Sequence, residues 1–126
     1  MLSKSSLKYF TLLNRLKYLL MSINVNEKKY FNLILKGILP RPHYAFSLFM
    51  SANLASQLGY KKISALEFGC WECEGLLDLE HFAFEIEKIF NIEIEIYGFD
   101  GGEGLPKPNN YKDRLYQFST GEMKLS

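Results

Sequence analysis

Cysteine, histidine, net charge and long apolar runs are all in short supply in this chain, and each shortage removes a class of function. The two cysteines of the 126 residues, Cys70 and Cys73, stand too close together to tie distant loops. A disulfide-built scaffold is excluded, and a reducing cytoplasm is the expected compartment. His43 and His81 each lack a second close ligand, whereas a structural zinc site wants four, so no metal is expected. A net charge of +1 offers no clustered positive field of the kind that grips nucleic acid. Apolar stretches are cut by Arg15, Lys17, Lys36 or Asn53 before they reach the roughly 20 residues of a membrane span. The basic, acid-free opening 1–21 lacks a small-residue cleavage site, which argues against a secretory signal. It reads as an extra leading helix, or as a stretch upstream of a start at Met21, in preference to a membrane-seeking segment.

What remains is ordinary for one soluble domain with its own core: 48% apolar and 23% charged residues, with no internal repeat or low-complexity tract. Residues 7–20 can wind into a helix with Tyr9, Leu12, Leu13, Leu16 and Leu19 on one face. Asn24 followed by Glu27 has the spacing of a capping box and predicts a helix through Lys36, closed by Gly37 and by Pro40 and Pro42. A second helix is expected from His43 to Gly59, with Tyr44, Leu48, Ala52 and Ala55 inward. Residues 63–68 then read as a short apolar strand in the middle of a sheet. Helical spacing returns in Leu76, Leu79, Ala83, Ile86 and Ile89, and residues 92–97 alternate strictly as a strand nearer an edge. A loop and a short helix over 112–118 complete the reading.

Strand, glycine-bracketed turn, helix and strand make a βαβ unit, and Gly69 and Gly75 bracket its turn. A helix N-terminus there offers unpaired N–H groups, and a glycine lets a ligand approach the backbone. Asp100 closes the second strand, where a carboxylate can accept the ribose hydroxyls of an adenosine. Glu67, Glu72 and Glu74 crowd the turn and oppose a pyrophosphate more than a phosphate-free sulfonium compound, which disfavours NAD and ATP. Glu74 and Asp78 are read as complements to the helix dipole. Glu67, at the end of an apolar strand, calls for an ammonium partner.

RPHYAF at 41–46, ISALEFG at 63–69, GLLDLE at 75–80, YGFDGGEGLP at 97–106 and the ending YKDRLYQFSTGEMKL carry a resemblance. Together they resemble the first half of a family of bacterial class I S-adenosylmethionine-dependent methyltransferases. The resemblance covers most of the chain after Ile38, and YGFDGGEGLP is its most specific part. It implies an α/β, Rossmann-like methyltransferase fold, here incomplete: a leading helix or extension over 1–22 and a partial S-adenosylmethionine-binding domain over 23–126. Glu67, Gly69 and Gly75 would form the first cofactor motif and Asp100 would hold the ribose, with no catalytic residue named. The chain departs from the family in carrying Trp71, Glu72 and Cys73 where small residues are usual, so that these side chains could fill the cofactor's space. It also ends where the family continues through further strands, which suggests a truncated product. A sheet edge left open invites a dimer or a complementary chain.

The rival chemistry is redox, since Cys-Trp-Glu-Cys between a strand and a helix is where thioredoxin-type enzymes keep paired thiols. The surrounding glutamates would raise a thiol pKa and so oppose it. A non-catalytic remnant or interaction module is the third reading, with Trp71 and Glu72 occupying the old site.

Overall fold

The computed structural model of the chain describes residues 26–113 and 119–124. These form a mixed α/β unit: α1 (Glu27–Leu35), α2 (Pro42–Gln57), β1 (Lys62–Phe68), α3 (Glu74–Phe90) and β2 (Glu93–Phe99), then a 3-10 turn at Tyr111–Asp113. The expected helix at 7–20 and most of the one at 112–118 lie outside the described residues. No helix among the described residues is long and apolar enough to cross a membrane.

Local sequence explains where the helices begin and end. The backbone of Asn26 is extended, and its side-chain oxygen accepts the N–H of Lys29 at 3.0 Å, so Asn26 caps α1. The sequence pointed to Asn24 for this role, a residue outside the described set. At the other end Gly37 takes a φ of +62° and returns its N–H to Ile34 O at 2.9 Å, while Ile38 N bonds Leu33 O at 3.1 Å. Gly59 closes α2 in the same way at φ +84°, with Tyr60 N on Ala55 O. Both are the paired bonds of a left-handed helix stop. The entry to α2 is less regular: Arg41, held between Pro40 and Pro42, sits at φ 42° and offers no side-chain cap. A residue before proline is kept out of the right-handed helical region, which is why the helix starts only at Pro42.

β1 and β2 pair in parallel with Lys62 opposite Glu93 and Phe68 opposite Phe99. α2 and α3 pack on one face of this sheet, and α1 packs on α2. The core is built there from Tyr30, Leu48, Phe49, Phe82, Ile86, Ile92 and Ile94. Phe82 and Ile86 are fully buried, each stabilising the fold by about 2 to 3 kcal/mol through surface removed from water. The helical spacing identified Leu79, Ala83 and Ile86 as inward but passed over Phe82, which leads the core.

The opposite sheet face carries no covering element among the described residues. One half of it is polar: Lys62 Nζ lies 3.2 Å from Glu93 and 2.6 Å from Glu95, and Ser64 Oγ donates to Glu95 at 3.3 Å. The other half is apolar, with Leu66 opposite Tyr97 and Phe68 stacked on Phe99 at 5.1 Å. The strand over 63–68 is therefore not enclosed as its apolar composition suggested. Ile63, Ala65 and Glu67 face the helices and are half-buried, while Lys62, Ser64, Leu66 and Phe68 are exposed.

Candidate functional site

The C-terminal ends of the two strands and the N-terminus of α3 meet at the turn 69–73. Gly69 takes φ +83° and continues the ladder by one bond, its N–H on Phe99 O at 2.8 Å. Its α-carbon faces open space, with no atom within 4 Å of where a Cβ would stand. Cys70 turns inward, and its thiol donates to Glu67 O at 3.5 Å and Phe99 O at 3.7 Å. Cys73 N then bonds Cys70 O at 2.8 Å and closes the turn.

Trp71 and Cys73 both adopt left-handed backbone, at φ 46° and 57°. Such a conformation costs about 1 kcal/mol or more for each residue with a Cβ, and strain of this kind gathers at binding sites. The compensation comes from Asp100. One carboxylate oxygen accepts the N–H of Trp71 at 2.8 Å and the other that of Gly102 at 2.7 Å. Backbone N–H groups hold the Asp100 carboxyl below its usual range, the Gly102 bond contributing most, then that of Trp71, with Cys70 adding to them. The indole of Trp71 is 44% exposed and does not plug the turn.

α3 starts without a side-chain cap. The N–H groups of Glu74, Gly75 and Leu76 meet no acceptor among the described residues, so the positive end of the helix opens beside Asp100. Gly75 serves a different purpose from Gly69. A Cβ on it would collide with Glu67 Oε1 and lie 3.1 Å from the Tyr44 ring, so its bareness admits protein, not ligand.

The three glutamates that crowd the turn in sequence are parted in space. Glu67 sits behind the turn and accepts the Tyr44 hydroxyl at 2.8 Å, which raises the Tyr44 pKa. Glu74 pairs with Arg41 at 3.3 Å, and Glu72 is exposed. Asp78, read from sequence as a dipole complement, is instead buried, and Arg41 donates to its carboxylate. Sequence reasoning missed Arg41 and Tyr44, whose partners lie 37 and 23 residues away. The Pro-Arg-Pro run, which keeps Arg41 out of the helix that follows, was the available signal.

His43 and His81 are both exposed, and the His81 ring meets Leu77 O of its own helix at 2.9 Å. Among the described residues no group of three His, Cys, Asp or Glu is placed to hold a metal ion. Cys70 and Cys73 are both free thiols. Burial, with the nearby Glu67 charge, pushes the Cys70 thiol up and keeps it protonated at neutral pH.

No protein-family model, curated protein or solved structure matches this chain.

Proposed function

We propose that the chain is a Rossmann-like, methyltransferase-type domain that binds S-adenosylmethionine at the turn 69–73. The observation that carries this reading is the position of Asp100. Its carboxylate is exposed at the end of β2 and held in place by backbone N–H groups, that of Trp71 on one oxygen and that of Gly102 on the other, with Cys70 N–H adding to them. A carboxylate offers about four lone-pair sites, so acceptor capacity remains beside these backbone donors for a ribose hydroxyl. The parallel βαβ connection, the open space at Gly69 and the uncapped α3 N-terminus support the same reading.

The donor set favours a ligand without phosphate. Arg41 is the cation brought to this turn, and it is committed to Glu74 and Asp78. Glu72 stays exposed beside the helix end with no ion-pair partner among the described residues, where it would repel a pyrophosphate and attract a sulfonium or ammonium group. Glu67 and Gly75 then act from behind, as the packing pair that fixes the first turn of α3.

S-adenosylmethionine supplies an electrophilic methyl group, and the protein's part is to hold that group in line with a nucleophile. Asp100 fixes the nucleoside, and the N–H groups of α3 orient the amino-acid carboxylate. Calorimetry with S-adenosylmethionine and S-adenosylhomocysteine tests the proposal. Wild type should bind both and Asp100→Ala neither, the variant's fold being checked by circular dichroism. A folded wild type that binds neither compound overturns the reading.

A further inference from the structure

We propose that the outer edge of β1 is a docking site for one extended peptide strand carrying a basic side chain. Glu93 N bonds Lys61 O at 2.9 Å and Gly69 N bonds Phe99 O at 2.8 Å, so the odd-numbered residues of β1 pair with β2. Alternation then turns the N–H and C=O groups of Lys62, Ser64, Leu66 and Phe68 toward the outer edge. They meet no partner among the described residues.

The two edges of the sheet are not equivalent. On β2 the outward N–H of Ile94 is capped by Glu87 Oε1 at 2.7 Å, a side chain standing where an added strand would bond. β1 has no proline or bulge and, among the described residues, no such cap, these being the usual means of blocking an edge. Alongside it runs a groove of about 640 Å³ whose wall is α2, through His43, Tyr44, Ser47 and Ser51. The small serines leave room for the side chains of a guest strand.

Charge selects the guest. Glu67 lines this groove, and while one of its oxygens takes the Tyr44 hydroxyl, Oε2 is buried with no hydrogen-bond partner among the described residues. A lysine or arginine on the guest strand would supply the missing donor, and a charge-assisted bond of this kind is among the stronger ones available. Backbone pairing would give the affinity and Glu67 the preference, as in other strand-addition complexes. Neither Asp100 nor the turn 69–73 lines this groove, so the peptide test reads separately from the cofactor reading.

The probe is a short fluorophore-labelled peptide of alternating threonine and valine with one central lysine, compared by anisotropy with its norleucine counterpart. Wild type should bind the lysine peptide about tenfold more tightly, and Glu67→Gln should erase that difference. Hydrogen exchange should show new protection at the Ser64 and Leu66 amides and none at Ile63 and Ala65. Leu66→Pro removes an outward N–H without touching the ladder to β2, and should abolish binding of both peptides. Equal affinity for the two peptides, no binding, or unchanged exchange at Ser64 and Leu66 overturns the proposal. So does protection of those amides in the protein alone together with a dimer in sedimentation, which would assign the edge to a second copy.

Discussion

At Asp100 one side chain does two things: it relieves the left-handed backbone of Trp71 and faces solvent with its remaining lone pairs. Because its pKa is lowered in the folded chain, the stability it contributes is fully present above the ordinary carboxylate value of about 3.9. That contribution is lost as pH falls through the lower, folded value. Trp71 is the chain's single tryptophan and reports on the turn directly. Acid titration of its fluorescence should give a midpoint below about 3.9, and Asp100→Asn should remove that transition. Cys70 supplies the opposite sign. Burial raises its pKa, so its reaction with a thiol reagent should remain slow until pH exceeds the free-cysteine value of about 8.5. A Cys70 that reacts fast at pH 7 would revive the redox reading. Gly98 is the third residue of consequence, since a Cβ there would stand 2.8 Å from Cys70 Sγ and 2.9 Å from Leu76. Gly98→Ala should destabilise by about 1 to 3 kcal/mol in denaturant unfolding, through overpacking behind the turn.

α3 is the element on which the others depend. It packs against α2 and both strands' inner residues, and it aims its N-terminus at the site. Phe82→Ala should cost about 3 to 5 kcal/mol in denaturant unfolding, because a fully buried ring is removed from between two packed elements. The link between α2 and α3 is more polar. Arg41 bridges the start of α2 to Glu74 and Asp78 of α3, and its own side chain is one-third exposed. Arg41→Ala should therefore cost about 2 kcal/mol, less than a wholly buried pair would. Since Glu74 and Asp78 would then lose a counter-charge beside the helix end, the same variant should also bind an anionic ligand group less well. α1 is held differently, by its Asn26 cap and by Tyr30 and Phe31 stacked on Phe49. Asn26→Ala should lower stability by about 1 kcal/mol.

At the scale of the described unit, one sheet face is packed and the other is exposed, with polar and apolar halves. Leu66, Phe68, Tyr97 and Phe99 are each more than two-fifths exposed on that face, and they continue to the turn that carries Trp71. A patch of this size favours association. The polar half counters it only locally. Lys62 holds Glu95 below its usual pKa through a direct hydrogen bond, an effect present above the ordinary carboxylate value and lost in acid. The two edges and the open face therefore make the described unit a surface for further chain as much as a container for a small ligand.

Composition and periodicity alone determined the element order, the helix stops at Gly37 and Gly59, the parallel βαβ connection and the place of the turn. All of these depend on contacts between near neighbours or on the spacing of apolar residues. Pairings across long separations were decided only in three dimensions. Arg41 on Asp78, Tyr44 on Glu67 and Asp100 on the Trp71 N–H each join residues that share no local pattern. The same holds for which strand edge is capped, since Glu87 reaches Ile94 only once α3 lies across β2. A carboxylate in a sequence has no partner until the fold supplies one, so the chain announced where its acids stand but not what each of them holds.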